Sequence, residues 1–123
     1  MTRPILWLIA ALAPVTLYAK PAPAPSVQRG QAVFGKWCAP CHGAGRGDDG
    51  APMLPGTAAL AARYKGAVPA ALQSRRDLPA EALQVFVRGG IGAMPMFRRA
   101  EVSDADIAAI AAYLRFTSAG ARR

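Results

Sequence analysis

Five consecutive residues, Cys38-Ala39-Pro40-Cys41-His42, hold both cysteines and the one histidine of the chain. No other feature constrains the fold as much, because all the thiol and imidazole chemistry is placed on one short stretch. Two thiols three positions apart can each bond one vinyl group of the same porphyrin. The adjacent imidazole is then held under the iron as its proximal ligand. Three other uses of the motif compete with this one. A Cys38–Cys41 disulfide fits an oxidising compartment. A thioredoxin-like redox pair needs a βαβ setting, and the sequence shows no apolar strand pattern. Structural zinc takes four ligands, whereas this chain offers three crowded together and no second cluster. The spacing favours covalent attachment of one haem c.

Attachment of this kind takes place outside the cytoplasm, and the start of the chain suits export. Met1-Thr2-Arg3 is a short positive start, Ile5 to Ala13 is uninterrupted and apolar, and a less regular stretch ends at Ala19. That order is the layout of a signal peptide over residues 1–19. The alternative is an uncleaved anchor, but a span needs about 20 apolar residues, and Pro14, Thr16 and Tyr18 interrupt this one. The expectation is a periplasmic protein with no stable membrane span after leader cleavage. Residues 20–26, with Pro21, Pro23 and Pro25, read as a stiff linker without a core of its own. Loss of Arg3 with the leader leaves 14 Lys and Arg against 7 Asp and Glu. A basic surface points to acidic partners. Nucleic acid is disfavoured, because no aromatic residues alternate with the basic ones as a stacking platform does.

The rest of the chain reads as helices. Ser26 can cap a helix from Val27 towards Lys36, with Gly30 and Phe34 on one face. Thr57 can cap Ala58 to Lys65, with Gly66 as the stop. Asp77-Leu78-Pro79 opens a helix to about Arg88, followed by Gly89, with Val85 and Phe86 as its apolar members. Ser103 and Asp106 form a start like a capping box, and Asp104 and Asp106 suit the positive end of the helix dipole. Ile107, Ile110 and Leu114 then make one apolar stripe with Tyr113 beside it.

With the one histidine used, a sixth iron ligand has to come from another residue type, and a thioether suits haem iron. Three methionines lie past the leader: Met53 near the attachment motif, and Met94 and Met96 in a loop that opens with Gly89, Gly90 and Gly92. Glycine lets backbone approach a porphyrin closely. The residues alone leave the three methionines open.

Cys38-Ala39-Pro40-Cys41-His42 followed by Met94-Pro95-Met96-Phe97 resembles class I cytochromes c, over roughly Val27 to Arg115. The resemblance implies an all-α class I cytochrome c fold, with about four short helices around one covalently bound haem c. It sets the cytochrome domain at 27–116 and a flexible tail at 117–123. It also makes Met94, the methionine directly before a proline, the axial ligand opposite His42, with Phe97 packing near the haem. Pro52 matches the proline whose carbonyl accepts a hydrogen bond from the proximal imidazole, with Pro55 as the alternative. Gly30, Phe34, Ile110 and Tyr113 match the places where the first and last helices of that family cross.

A haem held by His42 and Met94 leaves no open position, which implies an electron carrier and not an enzyme. Arg88, Arg98 and Arg99 flank the methionine loop and read as a basic rim, as do Lys36 and Arg46 near the attachment turn. Pro55-Gly56-Thr57-Ala58-Ala59-Leu60, Tyr64-Lys65-Gly66 and Arg76-Asp77-Leu78-Pro79 are similar to the cytochrome subunit of p-cresol methylhydroxylase. So is Met94 to Arg99 followed by Glu101-Val102-Ser103-Asp104-Ala105. That flavocytochrome resemblance implies an FAD-containing dehydrogenase subunit as electron donor, acting on a phenol or alcohol. The alternative is a free periplasmic carrier to a terminal oxidase or reductase, docking on another redox protein with an acidic surface. A haem sensor or peroxidase-like enzyme is a third class, disfavoured by the absence of a spare histidine.

Overall fold

A computed structural model describes residues 25–120. The elements in order are α1 (Pro25–Trp37), α2 (Ala39–His42), α3 (Pro55–Tyr64), a single 3-10 turn (Leu72–Ser74), α4 (Ala80–Gly89) and α5 (Asp104–Gly120). Among the described residues there is no strand, only an isolated bridge between Ile91 and Met94. The fold is all-α, as expected. The expected leader, most of the expected linker and residues 121–123 of the expected tail lie outside the described residues. Pro25 and Ser26 belong to α1, so Ser26 sits in its first turn and does not cap it.

The frame is the crossing of α1 and α5. A Cβ built at Gly30 would lie 2.0 Å from the Ala109 carbonyl oxygen and 2.9 Å from the Tyr113 Cβ, so only glycine lets the helices approach this closely. Phe34 packs on Tyr113 with ring centroids 5.4 Å apart. Ala109 therefore takes the place expected of Ile110, which turns into the core instead. The crossing is closed by an ion pair, with Arg29 Nε donating to Asp106 at 2.7 Å.

The buried apolar residues are Phe34, Leu78, Leu83, Val87, Val102, Ile107, Ala109, Ile110, Ala111 and Leu114. They come from α1, α5, α4 and the segments flanking α4. Within α4 the buried pair is Leu83 and Val87, four apart on one face, while Val85 and Phe86 are exposed. The helix thus uses a different face from the one expected. Residues 117–120 continue α5 where a loose tail was expected. The Thr117 hydroxyl donates to the Gln73 carbonyl at 2.8 Å, Arg76 donates to the Ser118 carbonyl at 3.3 Å, and Ser118 is buried.

Candidate functional site

The attachment residues lie where α1 passes directly into α2. The Cys38 N–H donates to the Phe34 carbonyl at 2.9 Å, and the His42 N–H donates to the Cys38 carbonyl at 2.8 Å. Pro40 falls in the first turn of α2, where a missing N–H costs nothing. Cys38 is half-buried against the core and Cys41 is exposed, both as free thiols. Burial, with the Cys41 sulfur adding to it, pushes the Cys38 thiol up to about 11. A thiol–disulfide redox pair needs the opposite shift, because its nucleophile is the thiolate. Among the described residues no group of three or more His, Cys, Asp or Glu side chains is placed to hold a metal ion, which leaves zinc without a donor set.

Burial lowers the His42 imidazole below its ordinary range, so the ring is neutral and able to ligate. Its Nδ1 is buried and has no hydrogen-bond partner. The bond expected between His42 and the Pro52 carbonyl is therefore not made, and Pro52 stands on an exposed bend. What covers that edge of the ring is the backbone at Gly56, where an added Cβ would lie 2.7 Å from both Nδ1 and Cε1. Thr57, one residue on, is buried, and its hydroxyl donates to the Gly43 carbonyl at 2.9 Å. It was expected to cap α3, but Pro55 already opens that helix and frees Thr57 to tie α3 to the attachment turn. Neither Gly56 nor Thr57 was legible as a site residue. The signal was a small residue and a short hydroxyl directly after a proline.

The methionine loop is built around Gly90 and Gly92, both at positive φ (+65° and +58°). A Cβ at Gly90 would lie 2.7 Å from the Met94 carbonyl oxygen. Ile91 and Met94 exchange two backbone hydrogen bonds, at 2.9 and 3.2 Å, which closes a tight turn. Met94 is half-buried against the same core cluster as Cys38 and Phe97, whereas Met96 is 66% exposed and Met53 40%. Phe97 meets Trp37 edge-on at 5.8 Å, so the aromatic residue just before Cys38 joins the two halves of the site. The structure thus gathers Cys38, Met94 and Phe97 on one cluster, with His42 one turn along and Pro52 apart from them.

The arginines expected to form a basic rim are engaged within the chain. Arg88 and Arg99 both reach Asp104, and Arg98 reaches Glu101. Lys36 lies over the Trp37 ring at 4.8 Å, and Arg46 donates to the Gly50 carbonyl at 3.4 Å. Asp77, expected to open α4, instead accepts two hydrogen bonds from the buried Arg75, which stacks at 4.8 Å on Tyr64.

A family model described as cytochrome c oxidase, cbb3-type, subunit III, matches residues 25–114. The chain belongs to this cytochrome c family. No curated protein and no solved structure matches it. The cytochrome carries one covalently bound haem c, and three local observations fit that group. The His42 Nδ1 is buried without a partner with the Gly56 backbone against it, no disulfide joins Cys38 and Cys41, and the segment between α2 and the 3-10 turn holds Met53, Leu54 and Leu60 with no buried apolar residue of its own. Cys38 and Cys41 would hold the porphyrin, and His42 and Met94 would ligate the iron. Bound haem supplies a one-electron Fe(III)/Fe(II) couple. The protein's part would be to exclude water, orient the imidazole and hold the second axial ligand. No helix among the described residues is long and apolar enough to cross a membrane.

Proposed function

We propose that this cytochrome is exported to the periplasm and passes single electrons between redox partners through a haem ligated by His42 and Met94. The observation that carries this reading is the placement of Met94 and Cys38 on one core cluster, with Met53 and Met96 both exposed. A thioether opposite an imidazole favours the reduced iron and leaves no position for substrate. Electron transfer then needs little rearrangement, which suits a carrier.

For the donor we propose an FAD-containing dehydrogenase subunit acting on a phenol or alcohol, on the strength of the short segments similar to the p-cresol methylhydroxylase subunit. The family match favours a second reading, in which the partner is a terminal oxidase and the cytochrome serves it as a carrier or subunit. One experiment separates the two. The native protein is purified from its source, and haem and flavin absorbance are followed together through size-exclusion chromatography. Haem eluting with flavin in a larger particle is expected for the dehydrogenase reading. Haem at the mass of this chain alone, or with further haem and copper, goes against it and favours the oxidase side. A chain without covalent haem contradicts both.

A further inference from the structure

The loop that bears Met94 leaves α4 after Gly89 and returns towards α5 at Arg99, and Arg88 in the last turn of α4 meets Arg99 on one carboxylate. Arg88 Nη2 donates to Asp104 Oδ1 at 2.7 Å, and Arg99 Nε lies 3.1 Å from Asp104 Oδ2. Arg88 Nη1 donates at the same time to the Phe97 carbonyl at 2.9 Å. The Phe97 N–H in turn donates to the Val87 carbonyl at 2.8 Å. Both backbone groups of Phe97, three residues past Met94, are thus held by the last turn of α4. The Arg88 side chain is 22% exposed and its Nε is buried without a partner, so its position is set by what its two terminal nitrogens reach. Only a planar fork can serve a carbonyl and a carboxylate in this way. A lysine carries its three donors on one nitrogen, without the fixed spacing of the guanidinium's two terminal nitrogens.

We propose that Arg88, acting with Asp104, is a positioning residue for the axial thioether: it clasps the base of the loop shut and so sets how readily another ligand displaces Met94 from the iron. This rests on Met94 being the ligand. Between Gly89 and Asp104 the chain has no helix or strand, and the backbone pairing of Ile91 with Met94 only shapes the tip. The base is fixed by charge-assisted hydrogen bonds, which are worth more than neutral ones. Displacement of Met94 is therefore coupled to opening of the clasp, and removing the clasp favours the displaced state.

The test uses ferric holoprotein titrated with imidazole, following loss of the thioether-to-iron charge-transfer band. Arg88→Gln is expected to bind imidazole about ten-fold more tightly than the wild type. Arg88→Lys restores part of that difference, because it keeps the charge but not the fork. Asp104→Asn shifts affinity in the same direction by less, since the Phe97 contact survives. Arg98→Gln, whose side chain reaches only Glu101, leaves affinity unchanged. Wild-type affinity in both Arg88→Gln and Asp104→Asn overturns the clasp while leaving Met94 ligation standing. A wild-type protein without the band, matched by Met94→Ala, overturns the ligation and the clasp with it. If Arg88→Gln does not fold, Asp104→Asn decides by the same two outcomes.

Discussion

Asp106 accepts from Arg29 Nε at 2.7 Å across the α1–α5 crossing, and from the Ser103 N–H and hydroxyl at 2.9 and 2.7 Å within its own turn. The Arg29 guanidinium first, and then Ser103, hold its carboxyl down to about 2, from an ordinary 3.8. Because the folded value is depressed, the stability it contributes is complete above roughly pH 4 and is lost as pH falls through the folded value. Asp106→Asn is expected to lower stability at neutral pH by about 1–2 kcal/mol, through the weakened cap and the lost pair. Denaturant titrations of both proteins between neutral and acid pH check this. The gap between them should close on acidification, and a gap independent of pH would mean that the carboxylate charge is not what matters. Gly56 is the second informative residue. Gly56→Ala places a Cβ 2.7 Å from the His42 ring, a distance real contacts do not reach, so either the ring or α3 must shift. A destabilisation of about 1–3 kcal/mol is expected. A smaller fraction of low-spin haem in the absorption spectrum should accompany it, and an unchanged spectrum would show that the ring is placed by other contacts.

At the scale of elements, α3 is held to the attachment turn mainly through Thr57, whose buried hydroxyl reaches the Gly43 carbonyl. Thr57→Val keeps the shape and removes the donor, leaving that carbonyl underserved. It is expected to cost about 1–3 kcal/mol, read as a shift in the thermal midpoint of the holoprotein, whereas Thr57→Ser should stay close to wild type. This element also shows where sequence reading stops. The helices α1, α4 and α5 could be found because apolar residues recur at helical spacing and glycine or a cap marks their ends. Even so, the buried face of α4 was misread, since Leu83, Val85, Phe86 and Val87 are all apolar and only packing selects two of them. Thr57 has the residue type of a cap, and nothing local shows that Pro55 has already opened the helix. The loop arginines read as a free basic rim because their partners, Glu101 and Asp104, belong to the turn before α5 and its first residue. The attachment motif was legible because it is local. The Gly56 contact on His42 was not, because it depends on where α3 returns.

For the whole molecule, the buried apolar residues divide the chain unevenly. Phe34 comes from α1, and all the others lie from Leu78 onwards; none lies between Cys38 and Asp77. The buried groups in that middle segment are Gly43, Thr57 and Arg75, with no apolar side chain among them. A stretch of this length that buries no apolar side chain has little to offset the entropy of ordering it. The haem c attached beside it is a large apolar body, and its burial against Met53, Leu54 and Leu60 would supply what the segment lacks. Two regions of different stability follow, one built by α1, α4 and α5 and the other dependent on the cofactor. Replacing both attachment cysteines by serine, Cys38→Ser with Cys41→Ser, gives a chain that cannot hold haem covalently. In native-state hydrogen exchange, its amides within the helices, 28–37, 83–89 and 107–118, are expected to remain protected. Those in 43–71 should exchange at least ten-fold faster than in the holoprotein, as expected for local opening with little free-energy cost. Equal protection of 43–71 in both proteins would mean that α3 and its flanking segments stay ordered without the haem, tied to the attachment turn through Thr57 and Gly56. Loss of protection everywhere would mean that the α1–α5 crossing, with Gly30 against Ala109, cannot stand without the haem beside it.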